Sequence, residues 1–417
     1  MRIAVIGAGI SGMATAWLLS RQHEITLYEA NDYIGGHTHT HALTTADGHA
    51  QAVDSGFIVF NPRHYPLLSR MFDELEVASQ PTTMSFAVQN EASGLEYGAG
   101  SLDALFCQRR NLLSPRFLDM VREITRFYRE APALLDESGN GPTLGEYLAA
   151  HGYGAMFRDN HLVPMASALW SSPSEQILQF PAKYLVAFMA NHQMLQLEGR
   201  PEWRVVRGGS QRYVDALRAR WNVQEQLACP AHAVRRSANG VGVEVDSPLG
   251  LRHYDQAVLA CHSDQALALL TEPSDAEREV LGAIRYRRND TVLHTDIGLL
   301  PKQRKAWSAW NVLIPRAAGD ACTVTYCMNL LQSLSSSETY CVSLNCSERI
   351  DPTKILRRMQ YAHPEYSHAA VAAQRRKTEI QGVDRLWYAG AYWGWGFHED
   401  GMRSAVAVAN ALRVAWP

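Results

Sequence analysis

Three glycines near the N-terminus constrain the fold more than any other feature of the chain. They follow a short apolar run, Ile3 to Ile6, that is typical of a parallel strand buried on both faces. Gly7, Gly9 and Gly12 then form G-x-G-x-x-G. The first glycine allows a tight turn, the second lets a pyrophosphate approach the backbone, and the third lets a helix pack closely on the strand. Because a helix N-terminus directs free N–H groups toward such a phosphate, the stretch predicts a dinucleotide-binding turn.

The residues that follow decide between a ligand site and a plain glycine-rich turn. A second strand, "EITLYEA", ends in Glu29, at about the spacing expected for a carboxylate that binds a ribose. The pair Gly35-Gly36 comes next, and "AVDSGFIVFN" follows with Asp54. A simple NAD-dependent dehydrogenase would continue into regular βα units, whereas this chain enters irregular loops rich in glycine and histidine. The sequence therefore predicts a bound FAD rather than NAD.

Composition bounds the class of protein. The chain has 417 residues, enough for two domains or one large interleaved one, and 47% of them are hydrophobic. A formal net charge of −3 argues against wholesale nucleic-acid binding, because no basic field dominates. No apolar run approaches the length of a membrane span, and the N-terminal stretch lacks the pattern of a signal peptide. We therefore expect a cytoplasmic protein.

Seven cysteines and the histidines of "GGHTHTH" raise the alternatives of a disulfide or a metal site. The pairs Cys322/Cys327 and Cys341/Cys346 share an offset that puts their sulfurs on opposite faces of a strand, which suits neither. Reduced core cysteines are the interpretation that we favour. No acidic or thiolate residue near the histidines completes a zinc ligand set, so no metal site is predicted.

Four stretches together resemble the FAD-dependent amine oxidase superfamily, which includes monoamine and polyamine oxidases, protoporphyrinogen oxidases and phytoene desaturases. They are "GAGISG", "YEA..YIGGH", "RVVRGGSQRYVDAL" and "WYAGAYWGWGFHEDGMRSAVAVANAL". The stretches "VDSGFIVFN", "ALWSSP" and "VLACHSDQAL" are most similar to a group of bacterial NAD/FAD-binding proteins. Members of that group occur beside, or fused to, cyclopropane-fatty-acid-synthase-like methyltransferases. The resemblance implies an α/β fold in which a Rossmann-like FAD-binding domain is interleaved with an α+β substrate domain.

The resemblance also implies domain boundaries and cofactor-binding residues. The FAD-binding domain would comprise residues 1–80, 205–285 and 380–417, and the substrate domain residues 81–204 and 286–379. The backbone of Val234 would contact adenine. The final helix would begin near Asp400 or Gly401 and direct N–H groups at the flavin C2 carbonyl. The residues expected to bind FAD are Gly7, Gly9, Ile10, Ser11, Gly12, Glu29, Ala30, Gly35, Gly36, His37, Asp54, Ser55, Gly56, Val234, Gly390, Glu399, Asp400, Gly401 and Met402.

Rings and glycines occur together in "WYAGAYWGWGFHEDGM" near the C-terminus. The glycines would bring backbone to the cofactor, and the rings would wall a dry site, which favours hydride transfer to flavin N5. Tyr392, Trp393 and Trp395 are the candidate wall residues, although packing between two domains explains any single one of them equally well.

A proton-relaying residue is also implied by the resemblance. Many superfamily members place a lysine near flavin N5, but the corresponding stretch "RRNDTVLHTD" contains none, and His294 stands roughly where the lysine would be. We predict that His294 relays a proton, with a hydrogen-bonded core histidine as the alternative.

The segment from Ser114 to Glu130 has helical periodicity, with Ser114 as N-cap and Pro115 at the first helical position. It contains several arginines, and Arg109 and Arg110 precede it. Acidic residues dilute this positive charge, so a solvated helix face is the default interpretation. Peripheral contact with an anionic membrane is the alternative.

These features favour an FAD-dependent oxidoreductase that removes a hydride from a substrate C–H. The family context suggests a fatty-acyl or other apolar substrate. One alternative is a flavin amine or polyamine oxidase, which the missing lysine disfavours. The others are an isomerase that uses reduced FAD with no net redox change, and a non-catalytic FAD-binding partner of a lipid methyltransferase.

Overall fold

The computed structural model describes residues 1–45, 47–237, 240–316 and 323–416. Its strands are β1 (Arg2–Ile6), β2 (Glu24–Tyr28), β3 (Thr40–Thr44), β4 (Ala50–Asp54), β5 (Val59–Phe60), β6 (Ser79–Thr82), β7 (Phe86–Asn90), β8 (Leu95–Gly98), β9 (Trp203–Val206), β10 (Val223–Gln226), β11 (Ala233–Arg236), β12 (Val243–Ser247), β13 (Gly250–Tyr254), β14 (Gln256–Leu259), β15 (Tyr286–His294), β16 (Trp310–Ile314), β17 (Val324–Cys327), β18 (Cys341–Leu344), β19 (Ile355–Pro364) and β20 (Leu386–Tyr388). Its α-helices are α1 (Ile10–Leu19), α2 (Pro66–Glu74), α3 (Leu102–Leu105), α4 (Pro115–Glu130), α5 (Leu144–Ala150), α6 (Ala155–Phe157), α7 (Val163–Trp170), α8 (Ser174–Leu178), α9 (Ala182–Asn191), α10 (Gln211–Arg218), α11 (Ser263–Leu269), α12 (Asp275–Gly282), α13 (Met328–Leu331), α14 (His368–Arg375) and α15 (His398–Ala411).

A parallel sheet in the order β10-β2-β1-β14-β20 carries the N-terminal glycine turn. Both of its faces are covered, which explains the continuous apolar strands. Ile3 and Val5 of β1 pack on one face with residues of α1 and α15. Ala4 and Ile6 pack on the other face with the small sheet β11-β12-β13. The predicted α/β fold with a Rossmann-like unit is confirmed.

The strands of this parallel sheet come from three separate stretches of the chain, residues 2–28, 223–259 and 386–388. A larger mixed sheet, in the order β19-β15-β18-β17-β16-β7-β8, takes its strands from residues 86–98 and 286–364. Helices α4 to α9 pack in one cluster with β7 and β8. The exact domain boundaries stay a prediction.

Phe397, just before α15, contacts both halves of the molecule. It packs against the cluster around α1 and α15 and also against the helical cluster of α4 to α9. The segment between β20 and α15 therefore lies where the two parts meet.

The N-termini of α4 and α15 lie at or near the positions that the sequence predicts. The helix predicted from Ser114 is confirmed as α4, and the hydroxyl of Ser114 accepts from the N–H of Phe117 at 3.4 Å. Helix α15 begins at His398, two residues before the earlier of its two expected starts. The carboxylate of Asp400 accepts from the backbone N–H of Trp395 and Phe397, at 3.0 and 3.1 Å, and so caps the start of its own helix.

The cysteines of the described ranges are free thiols, and Cys322 lies outside those ranges. Cys327 and Cys341 are partners across β17 and β18. Within the same ranges no helix is both long and apolar enough to cross a bilayer. No group of three histidine, cysteine or acidic side chains there has the arrangement of a metal site.

Gly12→Ala should destabilise the fold. A methyl group there would lie 1.8 Å from the carbonyl oxygen of Gly7 and 3.2 Å from the Cβ of Ala260, so α1 would have to move away from β1. We expect the free energy of unfolding to fall by about 2 kcal/mol or more, measured by urea unfolding of the cofactor-free protein. Gly282→Ala, at the end of α12, meets Leu267 at an ordinary 3.5 Å and serves as the control. It should be neutral or stabilise by up to about 1 kcal/mol, and equal stabilities of the two variants would contradict this packing.

Candidate functional site

The turn between β1 and α1 has the backbone geometry that a phosphate-binding loop requires. Gly7 has a φ of +101°, a conformation that favours glycine. A Cβ added at Gly9 would meet no atom within 4 Å, so open space lies beside the second glycine. Ile10 and Ser11 begin α1, and their backbone borders that space. At Gly12 the helix packs closely on the strand, and at Gly9 the backbone is open to a ligand. A turn that binds the pyrophosphate of a dinucleotide needs both features.

Glu29 follows β2 and is 7% exposed. One carboxylate oxygen accepts from the N–H of Ala8 at 2.8 Å. The other accepts from the backbone and the side-chain amide of Asn31, each at 2.9 Å. A carboxylate has about four acceptor sites, so this side chain is held in place and can still accept from a ribose hydroxyl. Ala30, next in the chain, is exposed.

Val234 lies on β11 and packs in the same apolar cluster as Tyr28 and Cys229. The N–H of Cys229 donates to the carbonyl of Glu29 at 2.9 Å, so Val234 is on the Glu29 side of the site. Its own carbonyl accepts from the backbone and hydroxyl of Thr271, at 3.2 and 3.0 Å.

The second glycine pair packs directly on the first turn. Gly35 and Gly36 have φ values of +142° and +59°, and a Cβ on Gly36 would lie 3.0 Å from the Cα of Gly9. The N–H of Gly35 donates to the carbonyl of Ala8 at 2.9 Å. The structure therefore brings both predicted glycine turns together and sets His37 at their edge.

Asp54 is fully buried and joins three parts of the chain. It accepts from Thr40 at 2.5 Å, from the backbone and hydroxyl of Ser210 at 2.9 to 3.1 Å, and from the side chain of Gln332 at 3.0 Å. Burial raises its pKa to about 6, although these hydrogen bonds oppose the shift. Its acceptor sites are engaged within the protein, which indicates an architectural role.

Ser55 and Gly56 continue this framework. The hydroxyl of Ser55 lies 2.9 Å from Nε2 of His41 and 2.7 Å from the hydroxyl of Tyr361. A Cβ on Gly56 would lie 2.0 Å from the carbonyl oxygen of His37, so glycine is required for this close approach.

The start of α15 contacts the start of α1. A Cβ on Gly401 would lie 2.7 Å from Cγ2 of Ile10 and 2.8 Å from the hydroxyl oxygen of Ser11. Met402 is fully buried beside it. The two predicted FAD-binding helix termini therefore meet at one point.

The carboxylates at this terminus bind backbone. Glu399 accepts from the N–H groups of Leu67 and Leu68, at 3.1 and 3.0 Å, and so caps α2. Asp400 caps α15, as described above, and also accepts from Arg403 at 2.9 Å. Desolvation raises the pKa of both carboxyl groups. Their role in FAD binding stays a prediction, and both side chains hold helix N-termini.

Four histidines lie deep in the molecule next to the glycine turns. Desolvation lowers the pKa of His37 and His363 to about 3 and that of His262 to about 4, and it lowers the pKa of His398 well below its ordinary value. All four imidazoles are therefore neutral at pH 7. Each is nevertheless only half-buried. We infer that these rings border an internal cleft, because they keep accessible surface although protein surrounds them.

The rings of this cleft are stacked. The centroids of His37 and His363 are 5.2 Å apart with an interplanar angle of 6°, and His262 lies 6.1 Å from His37. Tyr286, at the start of β15, stacks on His262 at 4.2 Å. The side chain of Asn289 lies 2.9 Å from Nδ1 of His363. Because the amide nitrogen only donates, Nδ1 accepts and the proton of His363 is on Nε2.

Sequence reasoning missed most of this cleft. His262 follows β14, His363 lies on β19 and Tyr286 on β15. Of the four histidines, the sequence had pointed to His37 as an FAD-binding residue and to His398 as a titratable candidate, but not to His262 or His363. The stretch "VLACHSDQAL" contained His262 but had no pattern that pointed to a ring-lined cleft.

The three predicted aromatic wall residues diverge. Tyr392 is 3% exposed and lies over Gly390, where a Cβ would be 2.0 Å from its ring. Trp393 donates from its indole N–H to the carbonyl of Tyr388 at 2.9 Å. Trp395 instead faces the helical cluster, 5.8 Å from Phe188 between ring centroids. The rings of Tyr392 and Trp393 are 4.8 Å apart between centroids, so these two lie together, whereas Trp395 lies apart from them.

The predicted proton relay has the environment of a core histidine. His294 is fully buried at the end of β15. Its Nε2 lies 2.8 Å from the hydroxyl of Ser343, and its Nδ1 accepts from the N–H of Asp296 at 3.1 Å. Desolvation lowers its pKa to about 4. It is eight residues further along β15 than Tyr286, or about 26 Å away, so it is remote from the stacked histidines.

Comparisons with known proteins bear on the family and the fold. The family described as flavin containing amine oxidoreductase matches residues 10–295. Zeta-carotene desaturase from Synechocystis sp. is 40% identical over 72 residues, which are 17% of this chain and 14% of that protein. The match thus spans only a small part of that relative.

Two solved structures cover nearly all of the chain. Cyclohexylamine oxidase from Brevibacterium oxydans has a TM-score of 0.69 at 16% identity, with 99% of each chain covered. A CLA-producing fatty acid isomerase from P. acnes has a TM-score of 0.67 at 15% identity, with 98% of each chain covered. At these identities the likeness shows the fold.

The residues present fit an FAD molecule. Open space lies beside Gly9, Gly36 packs on the same turn, and Glu29 accepts from Ala8 of that turn with acceptor capacity left. Gly9, Gly36 and Glu29 would hold the diphosphate and ribose, and the N–H groups at the start of α1 would face the phosphates.

Gly9→Ala should weaken FAD binding without unfolding the protein. The added methyl group meets no protein atom within 4 Å, so it occupies space that the pyrophosphate needs. We expect the dissociation constant for FAD to rise about tenfold or more, measured by quenching of flavin fluorescence. The thermal midpoint of the cofactor-free protein should stay close to that of the wild type. An unchanged FAD affinity would contradict this site, and Gly282→Ala is the matched control.

Proposed function

We propose that this chain, which belongs to the flavin-containing amine oxidoreductase family and is an FAD-dependent oxidoreductase, removes a hydride from a C–H bond of an uncharged apolar substrate, with a fatty-acyl chain as the preferred class. When bound, FAD supplies the hydride acceptor at N5 of its ring system. The protein binds and orients the substrate, excludes water and accepts a proton.

The observation that carries this proposal is the neutral, ring-lined cleft. Its histidines His37, His262, His363 and His398 are uncharged at pH 7 because burial depresses the pKa of each. Moving an apolar group from water to a site walled by neutral rings is favourable in free energy, and such a site does not require a counter-ion. A hydrocarbon chain fits that wall.

A cationic amine would gain less from the same cleft. The nearby carboxylates of Glu399 and Asp400 are engaged with backbone N–H groups and are not available to pair with an ammonium. Aromatic faces attract cations as well, so an amine is the competing substrate class.

The names of the similar proteins include both classes. Two of the similar proteins, a carotene desaturase and a fatty acid isomerase, are named after long apolar compounds. A third, a cyclohexylamine oxidase, is named after an amine. We also propose the partnership with a cyclopropane-synthase-like methyltransferase and the cytoplasmic setting that the family resemblance implies. A methyltransferase acting on lipid would work on the same substrate class.

His37 is the residue that we propose as proton acceptor. It follows Gly36 at the edge of both glycine turns, and neither nitrogen of its ring makes a hydrogen bond to the described residues. The substrate loses one hydrogen as hydride and a second as a proton. The free ring nitrogen of His37 can take that proton, and because burial lowers its pKa to about 3 it acts as a weak base that must pass the proton on. His294, by contrast, uses both nitrogens within the core.

Anaerobic titration of the FAD-loaded protein tests the substrate class. We expect an unsaturated or methylated phospholipid to bleach the visible absorbance of the oxidised flavin, and polyamines to leave it unchanged. Free FAD with the same lipid is the control. Bleaching by an amine alone would establish the competing class. No bleaching by either would favour an isomerase or a non-catalytic partner.

His37→Gln should slow flavin reduction by about 100-fold while FAD stays bound, because general base catalysis contributes about that much or more. His294→Gln is the matched control and should leave the rate within a few-fold. In the wild type the rate should stay level between about pH 8 and pH 5, because the pKa of His37 near 3 keeps it unprotonated there. Loss of rate below about pH 6.5 would indicate a base with an ordinary histidine pKa instead.

A further inference from the structure

Exposed leucines and exposed basic residues occur together on one outer surface. Leu102, Leu112 and Leu113 are 76, 48 and 88% exposed. We call this the leucine–arginine surface, and it consists of Leu102, Arg109, Arg110, Leu112, Leu113, Arg116, Lys302, Arg304 and Lys305, all of them exposed. Neighbouring leucines with this much exposure are unusual unless they meet a partner or a membrane.

Strand β8 holds the two parts of this surface together. The side chain of Glu96 accepts from the N–H of Gln303 at 2.8 Å, and its own N–H donates to the side chain of Gln108 at 3.1 Å. Lys305 pairs with Asp103 at 3.0 Å. Residues 102–116 and 302–305 therefore lie on one side of the protein, although almost 200 positions separate them.

The leucines are on a fixed loop. Residues Arg109–Leu113 form a 3₁₀ turn, and the guanidinium of Arg110 donates to the carbonyl of Gly94 at 2.9 Å. Asn111 at the centre of the turn is 6% exposed. Leu112 and Leu113 thus project from a turn that is anchored on both sides.

The charge of the surface is strongly positive. Within the described residues 101–116 and 302–305 there are six basic side chains, and Asp103 is the one exposed acid. Asp103 pairs with Arg109 and Lys305. The whole chain carries a formal net charge of −3, so the positive charge is concentrated here against the overall balance.

The arginines further along α4 do not belong to this surface. Arg122 pairs with Asp119 at 2.6 Å, and Arg126 pairs with Glu130 at 2.8 Å. These ion pairs lie within the helix and offset its charge, as the solvated-face interpretation of the sequence predicted. The basic region lies before α4 rather than along it.

We propose that the leucine–arginine surface docks on an anionic lipid bilayer, with Leu112 and Leu113 entering the interface and the basic side chains contacting the headgroups. Apolar side chains beside several lysines and arginines are the composition that interfacial membrane contact requires. Each basic residue near an anionic surface contributes to binding, and leucines supply the apolar part.

The docked side packs against the helical cluster of α4 to α9. Leu105 and Phe106, which follow Leu102, pack on the helical cluster that includes Trp395 and Phe397. Docking would therefore place this helical cluster near the lipid surface. The docking proposal does not depend on the proposed function.

Vesicle sedimentation of the FAD-loaded protein tests the docking. We expect binding to vesicles of phosphatidylcholine with phosphatidylglycerol, little binding to phosphatidylcholine alone, and weakening by salt. The double variant R116Q/K302Q removes two charges that make no ion pair within the described residues, and it should lower the partition coefficient about tenfold or more. The double variant L112N/L113N should lower it comparably.

The control variant is L249N/L251N, because Leu249 and Leu251 are 44 and 45% exposed on another part of the surface. It should bind vesicles as the wild type does. Equal loss in this control, or no binding of the wild type to anionic vesicles, would overturn the proposal. The proposal would also be overturned if the wild type were a dimer in solution and L112N/L113N were a monomer. The surface would then bind a second copy of the chain rather than a membrane. The sedimentation assay measures binding and not turnover. If the protein binds vesicles but lipid does not bleach its flavin, the proposed acyl substrate is refuted and the docking proposal stands.

Discussion

Backbone packs directly on backbone at the centre of this protein, and the cofactor site depends on that contact. A side chain at Gly36 would approach the Cα of Gly9 to 3.0 Å, and one at Gly401 would approach Ile10 to 2.7 Å. The segment after β2 therefore packs backbone on backbone against the first turn, and the start of α15 packs against the side chains of Ile10 and Ser11. A Cβ at Gly9 itself would meet open space.

Buried carboxylates hold these segments in position. Asp54 joins β4 to Ser210 and Gln332, Glu29 fixes the first turn, and Glu399 caps α2. A buried carboxylate without donors would be strongly unfavourable, so each one requires its N–H and hydroxyl partners. Because these carboxylates bind backbone and hydroxyl donors of the protein, they do not place negative charge on the walls of the cleft.

Charge is thus arranged in opposite ways inside and outside. The cleft has imidazoles whose charge is suppressed by desolvation, while the loop before α4 collects arginines and exposed leucines. The helical cluster of α4 to α9 packs against Leu105 and Phe106 next to that loop and against Trp395. Both proposals concern an apolar lipid, at the outer surface in one and at the cleft in the other, and this is the physical link between them.

Local patterns determined the first part of this protein. The turn at Gly7 to Gly12, the position of Glu29 and the cap at Ser114 each depend on residues a few positions apart, so the sequence alone predicted the parallel strand, the dinucleotide turn and α4. The same locality explains why the FAD family could be recognised. Tertiary structure alone decided the cleft, because His37, His262 and His363 come from three elements whose pairing no local pattern encodes. It also separated His294 from them, since a strand extends about 3.3 Å per residue and β15 ends far from where it enters the cleft.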